Sequence, residues 1–468
     1  MPLTHSEKLI KELDDIFNPA SIAIVGLPKG MKAGKLFLIA LLDQKYPGVI
    51  YPVHPDAKEI DGFPAYPTVS DIPGPVDLAI ILVSQEHTLD AVRECAAKGV
   101  KGAVLFTAGY KETGTDEGRH REEELVRVAR SSGMRLIGPN CMGLYSPRSG
   151  LAFFPDVPTR QGPIGLISHS GSLANIICHM APEKGLYFSK AVSLGNECDL
   201  TATDFLRYLG KDSDTKVIGT YLEGIKNAPA FLEALRETSP VKPVILWKVG
   251  LTKEGSRAAA SHTGALALSR TIWENALRQG GGVPVSGFEA WMDALIGFSM
   301  LPDGLGDRMA IISGPGGLAV SAAEACGTMG LRLADLSPET AKKLARFVPP
   351  TGTSLRNPID VGLTASLQMD IYIESARVAA ADPGVDAVAV SGIGFDAETN
   401  RIYSEAMIDI RNRSGKAFLI INIPGLDPDT PRRFFDAGVP FFDSAERAMR
   451  TYAQVLQYQR WRQAHSSR

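Results

Sequence analysis

The stretch IGLISHSGS, residues 164–172, decides the fold of this chain, because an apolar run leads directly into a turn of small residues. The stretch MAIISGPGG, residues 309–317, repeats this pattern in the last third of the sequence. A strand, a small-residue turn and a helix in this order form the basic unit of a parallel sheet covered by helices. Each turn also brings free backbone N–H groups to the positive end of a helix dipole, so each is a candidate anion site.

Outward from these turns, short β-branched runs alternate with segments of helical period along the whole sequence. We predict strands over residues 21–25, 49–53, 78–83, 102–106, 134–137, 164–167 and 309–312. An amphipathic helix is predicted before residue 18, and a closing helix over residues 451–463. The pattern predicts an α/β protein with three domains, residues 1–150, 151–302 and 303–468, in which ligands bind at the carboxyl ends of parallel strands.

The composition disfavours several classes of function. Of the 468 residues, 44% are hydrophobic and 22% are charged, which is typical of a soluble globular protein. A net charge of -3 predicts no nucleic-acid partner, and the absence of a long apolar run predicts no membrane span. The five cysteines are widely separated, so we expect neither disulfides nor a zinc site, and a reducing, cytoplasmic location. The spacing of the histidines predicts no metal site.

His262 lies in the run RAAASHTGALA, residues 257–267, where its neighbours have almost no side-chain bulk. Gly264 permits backbone angles that other residues avoid, so we predict a mobile loop that presents the imidazole ring. A histidine packed in a core would have larger apolar neighbours. His262 is therefore a candidate for a ring that carries a chemical group.

The first predicted strand ends in the turn Gly26, Leu27, Pro28, Lys29, Gly30, which does not match the GxGxxG pattern of nicotinamide-binding proteins. Lys29 in this turn suits a ligand that bears phosphate. The turn therefore predicts a phosphate-bearing ligand other than a nicotinamide dinucleotide.

A series of short stretches carries a resemblance that covers nearly the whole chain. They are SIAIVG, VIYPVHP, VDLAIILV, KGVKGAVLFTAGYKE and RLIGPNCMG in the first domain, SHSGSL, AVSLGNECD, GTYLEGI and AAASHTGALA in the second, and SGPGG, GLRLADLSPET and NPIDVG in the third. In this order they resemble the nucleoside-diphosphate-forming acyl-CoA synthetases, relatives of succinyl-CoA synthetase, and specifically the subunit that carries CoA and the phosphorylated histidine. The resemblance implies a Rossmann-like CoA-binding domain followed by two flavodoxin-like domains.

The resemblance also implies a reversible reaction in three steps. Acyl-CoA and inorganic phosphate give an acyl phosphate, the phosphoryl group moves to histidine, and ADP or GDP then takes it. His262 matches the phosphorylated position and Glu223 matches the carboxylate that orients the ring. The two small-residue turns match the phosphate-binding helix ends, with the residues Ser168, His169, Ser170, Gly171, Ser172, Gly314, Gly316 and Gly317.

The resemblance places CoA on the first domain. The matching residues are Gly26, Leu27, Pro28, Lys29, Gly30, Val53, Pro55, Lys58, Val83, Thr107, Ala108, Gly109, Asn140 and Cys141. We expect the acid substrate near Cys141, Met142, Phe153, Phe154 and Ser168, where the aromatic residues indicate an acyl group larger than acetate. The identity of the small carboxylic acid is not readable from the sequence.

His169 is a departure from the family, whose members usually have a different polar residue at this position. It could bond phosphate, accept a phosphoryl group, or fill the turn. No segment matches the ATP-grasp module that binds ATP or ADP with Mg²⁺ in the family, so we expect a separate partner subunit in an α2β2 heterotetramer. Two other functions stay open: a non-catalytic CoA-binding module, and serine hydrolysis at the turn containing Ser170, although this turn lacks the first glycine of GxSxG.

Overall fold

The structure, a computed structural model, describes residues 4–263, 269–392, 396–422 and 429–465. The chain forms two compact units. One comprises Met1–Pro182 and Tyr187–Ser286, and the other comprises Glu183–Leu186 and Gly287–Arg468. Parallel sheets with helices form the core of both units, which confirms the predicted α/β class.

The first sheet belongs to the first unit and consists of five parallel strands in the order β2-β1-β5-β6-β7. Its central strands are apolar and buried along their whole length, as parallel strands covered on both faces require. The elements of this part of the chain are α1 His5–Phe17, β1 Ser21–Val25, α2 Lys35–Asp43, β2 Val49–Val53, β3 Glu59–Ile60, β4 Phe63–Pro64, β5 Leu78–Ile81, α3 Gln85–Lys98, β6 Gly102–Leu105, α4 Asp116–Ser132 and β7 Arg135–Ile137.

The second sheet also belongs to the first unit, in the order β13-β12-β11-β9-β10-β8, with β8 antiparallel to β10 at the edge. The remaining pairs are parallel. The elements are β8 Gly143–Tyr145, β9 Ile164–Ser168, α5 Gly171–Met180, β10 Phe188–Ser193, α6 Ala202–Lys211, β11 Val217–Leu222, α7 Ala228–Thr238, β12 Val244–Lys248, α8 Lys253–Thr263, α9 Arg270–Gln279 and β13 Val283–Val285.

The third sheet forms the core of the second unit, in the order β15-β14-β17-β18-β19, with β16 also paired to β14. The elements are α10 Phe288–Met300, β14 Arg308–Ser313, α11 Gly316–Thr328, β15 Arg332–Leu333, α12 Pro338–Leu344, β16 Ile359–Asp360, α13 Met369–Ala380, β17 Ala387–Ser391, α14 Ala397–Ser414, β18 Ala417–Ile421, α15 Asp429–Asp436, β19 Phe441–Phe442 and α16 Ala445–His465. Short 3-10 helices lie at Lys111–Thr113, Pro147–Ser149, Ala181–Lys184 and Leu363–Ser366.

All three sheets use one strand order. When the five main parallel strands of each sheet are numbered along the chain, their spatial order is 2-1-3-4-5. This is the flavodoxin-like order, in which the chain direction across the sheet reverses between the first and third strands. The reversal lies between β1 and β5, between β9 and β11, and between β14 and β17. Ligands of such sheets bind at the carboxyl ends of the strands beside the reversal.

Helix α1 joins the two sheets of the first unit, and its position confirms the predicted amphipathic helix. Thr4 and Glu7 form a capping box at its start. At its end the ring of Phe17 stacks on Tyr208 of α6, with centroids 5.3 Å apart and planes 4° apart. The aromatic stack fixes the leading helix of the first sheet against a helix of the second.

The predicted loop around His262 was wrong, because helix α8 extends from Lys253 to Thr263 and His262 lies in its last turn. Alanine is the strongest helix former, so the run Ala258, Ala259, Ala260 favours a helix over a mobile loop. Gly264 and residues 265–267 of the predicted loop lie outside the described residues.

Two elements bear on the predicted domain limits. Strand β8 precedes residue 150 and pairs with the second sheet, while α10 precedes residue 302 and belongs to the second unit. The three-domain division at residues 150 and 302 stays a prediction. All five cysteines are free, and none of the helices in the described ranges is long and apolar enough to cross a membrane.

Candidate functional site

A first cavity opens at the strand reversal of the first sheet, with a volume of about 910 Å³. The turn after β1 and the segment after β5 form its walls, since both strands end at this edge. Half of the predicted CoA residues line it: Gly26, Pro28, Lys29, Gly30, Val53, Pro55 and Val83. Lys32, His54 and His87 add polar groups to the wall.

Gly26 explains why the first turn needs glycine. Its φ is +82°, a left-handed conformation that side chains disfavour. A Cβ atom at this position would lie 2.7 Å from Val83 Cγ1, well inside van der Waals contact. The backbone of the turn therefore approaches the end of β5 closely, and the wall of the cavity depends on this approach.

A second cavity, of about 610 Å³, opens at the strand reversal of the second sheet. Its wall brings together predicted residues from distant parts of the sequence: Thr107, Ala108, Asn140, Cys141, His169, Ser170, Gly171, Ser172 and Glu223. Leu82, Val83, Ser84 and Phe106 line both cavities. The two cavities thus share a wall within the first unit.

His169 and Glu223 lie side by side because β9 and β11 are neighbours that both end at this edge. The backbone N–H of Glu223 donates to Nδ1 of His169 at 2.9 Å. The backbone N–H of His169 in turn donates to the carbonyl of Tyr221 at 3.1 Å. The two turns are therefore bonded to each other as well as adjacent.

The carboxylate of Glu223 is half-buried and has two polar neighbours. The Tyr221 hydroxyl donates to its Oε1 at 3.3 Å, and Lys248 Nζ donates to its backbone carbonyl at 2.8 Å. Burial lowers the pKa of Lys248 to about 8, although the Glu223 carboxylate opposes this change. Burial also raises the pKa of Tyr221, which keeps its hydroxyl protonated as a donor.

The N-terminus of α5 faces the second cavity with its backbone N–H groups. Ser170 is the N-cap, and its hydroxyl accepts a hydrogen bond from the N–H of Leu173. The hydroxyl of Ser168 donates to the carbonyl of Ser170 at 2.8 Å. These bonds hold the turn in a shape that leaves the first N–H groups of the helix available to an anion.

The turn at the end of β14, in the second unit, repeats this construction. The hydroxyl of Ser313 donates to the carbonyl of Pro315 at 3.1 Å, two residues ahead as in the first turn. A Cβ at Gly314 would meet the Tyr372 hydroxyl at 2.0 Å, and one at Gly316 would lie 2.8 Å from Asp360 Oδ2. A side chain at position 314 would therefore clash with Tyr372. The carboxylate of Asp360 lies beside Gly316, the first residue of α11.

Several predicted residues do not line either cavity among the described residues. Leu27 is buried in the core and the Ser168 side chain is fully buried, while Lys58 is exposed away from both walls. Gly109 is tied down by Glu112, which accepts from its backbone N–H at 2.5 Å. Leu27, Ser168 and Gly109 therefore lie behind the walls, and Lys58 lies apart from them.

Of the residues predicted around the acyl group, Cys141 and Met142 line the second cavity, whereas the aromatic residues Phe153 and Phe154 do not. Phe153 is buried against Tyr145, and Phe154 packs edge-on against His179, so neither ring reaches the second cavity. The apolar part of the wall consists of the predicted Met142 together with Leu82, Phe106 and their neighbours. The indication of an acyl group larger than acetate therefore loses its support.

Cys141 lies on the cavity wall without the environment of a nucleophile. Its thiol faces the carbonyls of Leu105 and Ile137 at 3.5 Å, and burial raises its pKa to about 12. A thiolate is needed for attack. The residue therefore has a packing role at this wall.

Sequence reasoning missed Glu197, which is buried behind His169. Its Oε1 lies 3.2 Å from Nε2 of His169, and its φ of +54° is rare for a residue with a side chain. Burial raises the pKa of Glu197, but a protonated His169 ring, the N–H of Ala202 and Lys226 together bring the pKa below its ordinary value. The turn residues Gly195 and Asn196 just before it were the signal available in the sequence.

The geometry at Ser170 does not fit a hydrolase. A serine nucleophile needs a histidine base within hydrogen-bond reach. Nδ1 of the neighbouring His169 accepts from Glu223, and the Ser170 hydroxyl is occupied by the N-cap bond. Within the described residues the turn therefore lacks the nucleophile–base pair.

Three family profiles match the chain in succession. A CoA binding domain matches residues 20–147, a succinyl-CoA ligase like flavodoxin domain matches residues 161–297, and a ligase-CoA domain matches residues 309–406. Each matched range contains most of the strands of one sheet, although β8 of the second sheet lies in the first range and β18 and β19 of the third sheet lie beyond the last.

The chain is 35% identical, over 95% of its length and 98% of the relative, to the alpha subunit of acetate--CoA ligase [ADP-forming] II of Pyrococcus furiosus. It is 30% identical, over 95% of its length, to the 4-hydroxybutyrate--CoA ligase [ADP-forming] of Nitrosopumilus maritimus, but covers only 64% of that longer chain. A solved structure of dinucleotide forming acetyl-coenzyme A synthetase 1 of Ca. Korarchaeum cryptofilum, in complex with phosphate and ADP, superposes with a TM-score of 0.87 and 32% identity. It covers 97% of this chain and 98% of its own.

The fold and the three matched profiles define an α/β protein of the CoA-ligase class. Within that class, the chain belongs to the family of ADP-forming acyl-CoA synthetases, as a counterpart of their alpha subunits. This confirms the predicted family and enzyme class and favours an enzyme over a non-catalytic CoA-binding module.

Proposed function

We propose that this chain binds CoA in the first cavity and carries the phosphoryl group on His262 during acyl-CoA synthesis from an acid, CoA and ATP. The observation that carries the proposal is the shared wall, Leu82–Ser84 and Phe106, between the two cavities. A CoA molecule whose phosphates lie near Lys29 has a direct path for its thiol end into the second cavity. The acyl group then lies within reach of the α5 N-terminus and Glu223.

The chemistry follows from these positions. In the direction of acyl-CoA breakdown, phosphate attacks the thioester carbonyl, so that a C–O bond forms as the C–S bond breaks, and CoA leaves. A nitrogen of His262 then takes the phosphoryl group, and the acid leaves as its carboxylate; synthesis runs through the same steps in reverse. The helix N-terminus at Ser170–Ser172 stabilises the negative charge, worth up to about 2 kcal/mol when partly buried. Glu223 holds the neutral imidazole in one orientation, as a carboxylate partner does for other catalytic histidines.

The glycine turn of the second unit, with Gly314, Gly316 and Gly317, is our candidate for a second phosphate-binding helix end. Its construction matches that of the first turn, although Asp360 lies at the start of α11. A proposed ATP-grasp partner subunit supplies ADP and Mg²⁺ in an α2β2 assembly. The longer relative, of which this chain spans 64%, is consistent with a partner that other members carry in the same chain.

The experiment that tests the proposal is phosphorylation of the purified chain without a partner. The wild-type chain, mixed with acetyl-CoA or a longer acyl-CoA and radiolabelled phosphate, should acquire an acid-labile label. The His262→Asn variant should acquire none, while His120→Asn, which alters an exposed histidine of α4, should be labelled as wild type is. A label that persists in His262→Asn, or no label on wild type with any acyl-CoA, contradicts the proposal.

A further inference from the structure

His169 is buried at the strand reversal and is bonded to both neighbouring strand ends. Only 7% of its surface is exposed. Its N–H donates to the carbonyl of Tyr221, and its carbonyl accepts from the N–H of Gly195 at 3.3 Å. The imidazole ring therefore has a single position between the ends of β10 and β11, on the wall of the second cavity.

The bond to Glu223 defines the tautomer of this ring. A backbone N–H can only donate, so Nδ1 of His169 must accept from Glu223. In a neutral imidazole the proton then lies on Nε2. Nε2 faces Oε1 of Glu197 at 3.2 Å, at ion-pair distance but outside hydrogen-bond alignment. In this neutral ring the Nδ1 lone pair accepts from Glu223 and Nε2 carries the proton, so neither nitrogen offers a free lone pair to a phosphoryl group.

Glu197 is held firmly in this place. Its Oε1 also accepts from the N–H of Ala202 at the start of α6, at 2.5 Å, and Lys226 donates to its backbone carbonyl. A residue with φ of +54° persists only where its surroundings determine it, because this conformation costs of order 1 kcal/mol. The carboxylate is therefore built into the site and placed behind the ring.

We propose that His169, backed by Glu197, is a positioning residue that holds the Glu223 turn in its working place only while the imidazole is neutral. This inference rests on the proposed role of Glu223. A protonated ring carries a hydrogen on Nδ1, which then faces the hydrogen of the Glu223 N–H. The two donors repel each other, so Glu223 moves and the transfer to His262 slows in acid.

The charges around the ring give the direction of the pH dependence. The ionisable groups that face it or its two partners are Glu197, Glu223, Lys226, Lys248, Tyr221 and Cys141. The carboxylate nearest the ring, on Glu197, favours the protonated imidazole, whereas the Glu223 N–H and the α5 N-terminus oppose it. Removal of the Glu197 charge must therefore extend the activity to lower pH.

Three variants in the holoenzyme, assembled with its partner subunit, test the inference through the pH profile of His262 phosphorylation. Glu197→Gln keeps an acceptor for the N–H of Ala202. It should lower the pH at which the rate falls in acid, the acid limb of the profile, by about one pH unit. His169→Asn keeps an acceptor on Cγ but cannot titrate, so the contribution of His169 to the acid limb should vanish. His169→Leu removes the acceptor and should slow the transfer at every pH by about 10- to 100-fold, as misplacement of a reacting group does.

An acid limb that is unchanged in both Glu197→Gln and His169→Asn overturns the inference, and so does a His169→Leu variant with wild-type rates. If His169→Leu does not fold, the pH profiles of Glu197→Gln and His169→Asn still test the inference. Nitrogen NMR of the histidine-labelled wild-type chain gives a readout that needs no catalysis. A proton on Nε2 of neutral His169 is expected and a proton on Nδ1 contradicts the inference, whereas a failure of the proposed function would appear separately, as the absence of label on His262.

Discussion

At the scale of single residues, Gly171 shows how little space the first turn of α5 has. A Cβ at this position would lie 2.5 Å from Met142 Cγ and 3.1 Å from Ser193 Oγ. Ser193 Oγ in turn accepts from the backbone N–H of Met142, so Met142 cannot move freely. The helix end can reach the cavity wall only because residue 171 has no side chain.

We therefore expect Gly171→Ala to lower the melting temperature, because overpacking of a close contact costs about 1 to 3 kcal/mol. The double variant with Met142→Ala should recover most of the loss, since it removes the clashing Cγ. Gly317→Ala is the control, because Gly317 is the second residue of α11 and no atom lies within 4 Å of its Cβ position. Thermal unfolding of the four proteins checks this, and an equal loss in the double variant would contradict it.

Some site residues could be predicted from the sequence and others could not, for a physical reason. Ser170 follows a strand and precedes a helix, so its capping role depends on local sequence alone. The role of His169 depends on the N–H of Glu223, which lies 54 residues away, so its three possible roles stayed open. For His262 the small neighbours were interpreted as a loop signal, although three alanines in succession favour a helix.

At the scale of elements, the end of β12 supports the end of β11. Lys248, the last residue of β12, donates to the carbonyl of Glu223 from a half-buried position. The pairing of Leu222 with Lys248 in the sheet brings the two residues together. The strand positions could be predicted from apolar runs, but this cross-strand lysine could not, because strand order is not encoded in local pattern.

Lys248 predicts a pH dependence of stability. Burial lowers its folded pKa to about 8, below the value of about 10.4 for an unfolded lysine. Between these values the unfolded chain binds more protons, so the contribution of Lys248 to stability rises with pH. The melting temperature of wild type relative to Lys248→Met should therefore increase between pH of about 8 and about 10.

The exposed Lys253→Met variant corrects this comparison for the change in net charge. Thermal unfolding of the three proteins across this range gives the measurement. A difference between wild type and Lys248→Met that stays constant or falls as pH rises would mean that the ammonium group is not desolvated in the folded chain.

At the scale of the whole molecule, one strand order is used three times and two of the three reversals open into neighbouring cavities. Three α/β repeats were predictable from the recurrence of strand, turn and helix in the sequence. That the first two sheets form one unit was not, because it depends on packing such as that of Phe17 on Tyr208. Binding of CoA and transfer of the phosphoryl group are therefore expected in one compact body, at separate walls.

This arrangement predicts that one substitution can weaken CoA binding while another impairs only phosphoryl transfer. Gly26→Ala should weaken CoA binding at least about tenfold, since strain in a left-handed backbone and a clash with Val83 each cost of order 1 kcal/mol or more. Glu223→Gln should bind CoA as wild type does. Gly62→Ala is the matched control for backbone strain, since Gly62 has φ of +84° but no atom within 4 Å of its Cβ position.

Isothermal titration of each variant with CoA gives the affinities. Equal affinities for Gly26→Ala and Gly62→Ala would show that the turn after β1 does not form the CoA site. A large loss in Glu223→Gln would show that Glu223 contributes to CoA affinity as well as to the transfer step.

The wall formed by Leu82, Val83, Ser84 and Phe106 has a consequence for the order of events in turnover. If CoA binds as proposed, a CoA molecule that has given up its acyl group still covers the residues that the two cavities share. The mixed anhydride formed in the second cavity is thereby sheltered from bulk solvent, where it would hydrolyse without benefit. We expect CoA to be the last product released. If it leaves earlier, acyl-CoA should be hydrolysed without phosphorylation of the protein.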